Sequence, residues 1–127
     1  MTSSHTVLVV DDDIDIRETI VELLEDSGYR AIAASNGESA LAVLQSAEPA
    51  PCLIFLDLMM PVMDGLTFRS EQLKRPEWAS IPVVLMSAYR DVADQASGLS
   101  LEHLAKPVGA DSLIATARRY CDTTSEL

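Results

Sequence analysis

The chain has 127 residues, 48% hydrophobic and 23% charged, with a formal net charge of -11. That length suits one domain with one core, and the composition argues against a disordered or fibrous chain. The acidic excess, with its few basic residues scattered, argues against direct binding of nucleic acid or anionic lipid, and no run approaches the ~18 apolar residues of a membrane span. Met1 to Thr6 lacks a charged segment followed by an apolar one, so an unexported, cytoplasmic protein is expected. Cys52 and Cys121 are too few for a disulfide framework, and reduced thiols are expected.

Val7-Leu8-Val9-Val10 is an apolar, β-branched run suited to a strand buried on both faces, and it ends in Asp11-Asp12-Asp13. From Ile14 the period changes: Ile16, Ile20, Leu23 and Leu24 form one helical face, with Glu18, Glu22 and Glu25 outward, until Gly28 ends the helix. Tyr29 to Ala34 is a weaker strand. Asn36 then caps a helix carrying Ala40, Leu41, Val43 and Leu44, which Pro49 and Pro51 terminate. Cys52 to Leu56 is a second doubly buried run, followed at once by Asp57, which reads either as a ligand-binding acid or as a loop cap. A helix from about Asp64 to Lys74 follows, with Leu66, Phe68 and Leu73 as inward candidates and Pro76 closing the unit.

Val83 to Met86 is the next apolar strand, with Pro82 at its edge and Ser87-Ala88 after it. Asp91 to Gly98 suggests a short, loosely held helix. Leu99 to Ala105 is the last strand candidate, ending in Lys106-Pro107, and Ala110 to Tyr120 is an amphipathic helix through Leu113, Ile114 and Ala117. Residues 122–127 form a polar tail. Strand and helix thus alternate through a single core of about residues 6–120, which demands a parallel sheet with helices on both faces.

The residues after the strands then share one sheet edge: Asp11 and Asp12, Asp57, Ser87 and Lys106. Two carboxylates ~4 Å apart repel by about 4 kcal/mol at an effective dielectric near 20, so such a cluster implies a cation. An oxygen-only donor set favours Mg2+ over zinc. A carboxylate, a divalent ion, a lysine and a hydroxyl suit phosphoryl transfer, with Asp57 as nucleophile, Asp12 and Asp57 on the metal, Asp11 ordering its water shell, and Ser87 and Lys106 meeting phosphoryl oxygens.

The pieces Val7-Leu8-Val9-Val10-Asp11-Asp12-Asp13, Asp57-Leu58-Met59-Met60-Pro61-Val62-Met63-Asp64-Gly65, Ser87-Ala88 and Lys106-Pro107 resemble the receiver domain of two-component response regulators, of the chemotaxis type. They stand in order, with gaps of 45, 30 and 19 residues from Asp12 through Asp57 and Ser87 to Lys106. The resemblance implies a flavodoxin-like, doubly wound (βα)5 fold with strand order 2-1-3-4-5. It further implies that a histidine kinase or phosphotransfer protein donates a phosphoryl group to Asp57, and that the receiver hydrolyses its own acyl phosphate and is otherwise no enzyme. A third protein ligand to the metal falls on the Met59 backbone carbonyl, and the Lys106-Pro107 bond is expected to be cis. The output partner would bind the face of the fourth helix, fifth strand and fifth helix, from about Asp91 to Tyr120.

His103 departs from the aromatic residue usual in such domains three positions before the lysine, and reads either as a surface histidine or as a switch coupled to Ser87. Val108 replaces a common phenylalanine, a packing change. Met59 and Tyr89 flank the hydrolysis path and suggest slow dephosphorylation. Asp13 and Asp64 read as helix caps, and Trp78 as core or rim packing. Among rivals, an aspartyl phosphatase lacks its second acid, because Met59 takes that place, and a nucleotide-binding module lacks a Gly-rich loop. A pseudo-receiver scaffold that is never phosphorylated is opposed by the intact acid set.

Overall fold

A computed structural model gives the fold and describes residues 5–47, 50–58, 60, 62–87 and 101–122. Strands β1 (Thr6–Val10), β2 (Arg30–Ala34), β3 (Leu53–Asp57), β4 (Val83–Ser87) and β5 (Glu102–Ala105) form one sheet in the order β2-β1-β3-β4-β5. Every neighbouring pair is parallel, as the alternating pattern requires. Helices α1 (Ile14–Asp26), α2 (Gly37–Ser46), α3 (Gly65–Leu73), the single turn α4 (Pro76–Ala79) and α5 (Ala110–Cys121) complete the described elements.

Between Thr6 at the start of β1 and the polar residues Asp57 and Ser87 that end β3 and β4, the central strands are apolar, because both faces are covered. Leu8, Val10, Ile54, Leu56 and Leu85 pack with Ala40 and Leu44 of α2 and Phe68 of α3. Their alternates Val7, Val9, Leu53, Phe55, Val84 and Met86 pack with Ile20 and Leu24 of α1 and Leu113 and Ala117 of α5. The edge strands β2 and β5 are partly exposed, which explains their weaker apolar signal. Asp13 caps α1 through the Asp15 and Ile16 amides, Asn36 caps α2 through Ser39, and Asp64 caps α3 through Thr67. Gly28, at φ 96°, ends α1 in a conformation that favours glycine.

Several expectations need correction. Leu66 and Leu73 are 39% and 51% exposed, and α3 instead buries Gly65, Phe68 and Gln72. The rotation is set at Gly65: a Cβ there would lie 2.6 Å from the Asp57 carbonyl oxygen and 3.0 Å from the Leu58 Cα. Neither backbone atom can swing aside, so Gly65→Ala is expected to cost roughly 2–3 kcal/mol in denaturant unfolding, despite the better helix propensity of alanine.

Pro76 opens α4 rather than closing α3. Trp78 is buried there under the Arg75 guanidinium, 4.8 Å from the ring centroid, and the Gln72 amide donates to the Trp78 and Ile81 carbonyls. β5 begins at Glu102 rather than Leu99, and Leu101 lies outside the strand. The helix expected over Asp91 to Gly98 lies outside the described residues.

The cysteines are not reduced thiols: Cys52 and Cys121 are joined in a disulfide, with their Cα atoms 5.3 Å apart. The topology accounts for the meeting. α5 runs back across the sheet, so its last residue reaches the edge from which β3 starts.

Candidate functional site at the carboxyl edge of the sheet

The strand register carries the chemistry-bearing residues to one edge. Val10 pairs with Leu56, Asp57 with Met86, and Ser87 with Ala105. The ladder continues one residue past three of the strands: Asp11 N–H donates to the Ala34 carbonyl at 3.1 Å, Leu58 N–H to Met86 at 3.0 Å, and Lys106 N–H to Ser87 at 3.0 Å. Side chains at this edge therefore project from firmly held backbone. The Lys106-Pro107 bond is cis, as the resemblance implied.

Asp11 is fully buried. Its Oδ1 accepts from the Asp13 amide at 2.9 Å, its carbonyl accepts from Arg17 Nη1 at 2.8 Å, and its Oδ2 stands 2.7 Å from Lys106 Nζ. That ion pair lies off the hydrogen-bond direction, so the buried Oδ2 has no aligned donor and keeps capacity to face a cation. Lys106 Nζ also lies 3.3 Å from Asp57 Oδ1. One carboxylate oxygen from each of Asp11, Asp12 and Asp57 lies within 4.8 Å of the others, with Asp12 exposed to solvent. This hard, all-oxygen set with one open side fits a small divalent ion such as Mg2+.

Burial, then the Asp11 charge, pushes Asp57 up to about 7, against the Lys106 ammonium beside it. Burial pulls Lys106 down, but its contacts with Asp11 and Asp57 outweigh this and leave its pKa raised. The site thus pairs a permanently charged lysine with a carboxylate poised near neutrality, which a second cation would ionise.

Ser87 is buried at the end of β4, one residue beyond the register partner of Asp57. His103 is exposed on β5, paired in register with Leu85 and on the opposite side from Leu104, which packs toward α1 and α5. Asp13 and Asp64 are caps, as expected. Met59 and Tyr89 lie outside the described residues. Arg17 is the residue that sequence reasoning missed. Its signal was a cation in the first turn of an acid-rich helix, where the helix dipole disfavours it.

Val62, in the loop after Asp57, has φ 70° and is 78% exposed. A β-branched residue is strained there, so Val62→Gly is expected to stabilise the fold by about 1 kcal/mol, read from the urea midpoint.

The sequence profile of the response regulator receiver domain matches residues 7–118. The chain belongs to this family. The receiver is 37% identical over 115 residues to the probable transcriptional regulator ycf27 of Cyanophora paradoxa, a match over 88% of this chain and 46% of that protein. It is 32% identical over 122 residues to the alkaline phosphatase synthesis transcriptional regulatory protein SphR of Synechococcus elongatus, over 88% of this chain and 47% of that one. The receiver thus spans about half the length of these curated relatives. Among solved structures it resembles the Francisella response regulator 1452 receiver domain, with TM-score 0.83 and 28% identity over 95% of this chain and 99% of that one. Similar too is the Vibrio cholerae chemotaxis protein CheY4, with TM-score 0.83 and 29% identity over 93% and 99%. The receiver therefore has the doubly wound fold of these domains. Among the described residues, no helix is long and apolar enough to cross a membrane.

Proposed function

We propose that the receiver takes a phosphoryl group from a phosphohistidine onto Asp57 and relays it as a change of surface. One observation carries this reading: the buried Asp57 shares the sheet edge with Asp11, Lys106 and the solvent-facing Asp12, and the three carboxylates lie within reach of one divalent ion. Asp11, Asp12, Asp57 and the Met59 carbonyl would hold Mg2+, with Asp11 acting through a water. Once bound, Mg2+ supplies positive charge for phosphoryl oxygens and favours the ionised Asp57.

The Asp57 carboxylate then attacks phosphorus. An O–P bond forms as the N–P bond of the donor breaks, and the imidazole leaves with the electron pair and takes up a proton. The Lys106 ammonium pairs with one phosphoryl oxygen, and the Ser87 hydroxyl donates to another. Hydrolysis of the acyl phosphate resets the receiver, and no other turnover is assigned to it.

The donor is a sensor histidine kinase or a histidine phosphotransfer protein. An apolar cleft of about 230 Å³ between α1 and the turn at Lys106, Pro107 and Val108 gives it a place to dock beside the site. Ser87 drawn toward the phosphate, with His103 as its coupled switch, shifts the population of the partner face from about Asp91 to Tyr120. Because relatives such as SphR are named as transcriptional regulators, the output is assigned to a separate domain or protein that controls transcription. The acidic receiver itself has no nucleic-acid role, and the cytoplasm is its proposed location. The test is incubation with a small acyl phosphate, read on a phosphate-affinity gel. A shifted band that needs Mg2+ and disappears with a chelator supports the proposal; no shift under any condition favours the unphosphorylated scaffold.

A further inference from the structure

The Cys52–Cys121 bond lies far from the acids, since Cys52 stands five residues of extended chain, about 17 Å, before Asp57. Phosphoryl chemistry makes no use of it. The two residues differ in exposure: Cys121 is 1% exposed, whereas Cys52 is half-buried, with its Sγ 3.3 Å from the Thr6 carbonyl. The bond fastens the end of α5. Asp122, the next residue, accepts the Tyr29 hydroxyl at 3.2 Å, and Arg119 and Tyr120 hold Glu102 of β5. The Cα separation of 5.3 Å lies in the ordinary disulfide range, so the pair closes without backbone rearrangement.

We propose that Cys52 and Cys121 form a thiol–disulfide exchange site, entered at Cys52 by a low-molecular-weight disulfide of the glutathione class and resolved by Cys121. Cys52 loses its proton to water and attacks one sulfur of the small disulfide. That S–S bond breaks, one small thiol leaves and takes up a proton, and a mixed disulfide remains on Cys52. The Cys121 thiol, deprotonated in its turn, attacks the Cys52 sulfur and expels the second small thiol. Two electrons pass from the cysteines to the reagent, and excess small thiol reverses both steps. Oxidation thereby ties α5, a wall of the partner face, to the start of β3.

The experiment is intact mass measurement of the reduced, folded receiver after exposure to oxidised glutathione. The native protein is expected to lose both free thiols and retain no glutathione. Cys121→Ser should stall with one glutathione on Cys52, forming it at least about tenfold faster than Cys52→Ser modifies the shielded Cys121. Equal modification of the two variants, or native protein that keeps both thiols or stalls as a mixed disulfide, overturns the proposal. If either variant fails to fold, pulsed alkylation of the reduced native protein replaces it. Cys52 should then label first, and simultaneous labelling counts against the proposal.

Discussion

Asp57→Asn is expected to abolish phosphoryl uptake and also to stabilise the cation-free receiver above neutral pH. The amide cannot form the acyl phosphate, so incorporation should fall by at least about a hundredfold. The stability effect follows from the raised pKa. Asp57 sits at about 7 in the fold against an ordinary 3.8, pushed there by burial and then by Asp11. Between those values the unfolded chain has lost the proton and the folded one keeps it, so the stability that Asp57 contributes is full below the ordinary value and is lost as pH rises through about 7. Asparagine, neutral throughout, avoids that loss. Its advantage should be absent near pH 4 and reach on the order of 2 kcal/mol above pH 7, or about 5–10 °C in melting temperature. Mg2+ should narrow the gap, because a cation on Asp11 and Asp12 favours the ionised Asp57. A gain equal at both ends of the pH range would mean that Asp57 is not desolvated beside Asp11.

Reduction of Cys52–Cys121 is expected to lower thermal stability more than any surface substitution. The bridge spans 69 residues of sequence. Closing a loop of that size in the unfolded chain is worth about 4 kcal/mol in the chain-entropy account, or roughly 10–15 °C in melting temperature for a domain of this length. The check is a pair of melts with and without a strong reductant. A difference of only a degree or two would show that the folded chain gains little from the cross-link.

Much of this architecture was legible because burial on both faces leaves a plain signature. Val7 to Val10, Leu53 to Leu56 and Val83 to Met86 are apolar at every position, and each ends in a residue that packing does not want. Asp11, Asp57 and Ser87 stood out for that reason, and parallel topology then placed them on one edge. The phase of α3 was not legible. Gly65 sets it through a close approach to the Asp57 and Leu58 backbone, whereas Leu66 and Leu73 looked like core residues. The disulfide was hidden for a different reason. Nothing local to Cys52 or Cys121 brings them together; only the return of α5 across the sheet does. Arg17 acts through a backbone carbonyl, which offers no complementary residue type, so only its unfavourable place in the first turn of α1 marks it.

The central claim is tested most directly by locating the phosphoryl group. After treatment with a small acyl phosphate and Mg2+, borohydride converts an aspartyl phosphate to homoserine, which peptide mass spectrometry can place. Homoserine at position 57, absent when Mg2+ is withheld, is the predicted result. Phosphate on Ser87 or His103 instead, or an unmodified Asp57 under full donor and Mg2+, would contradict the account.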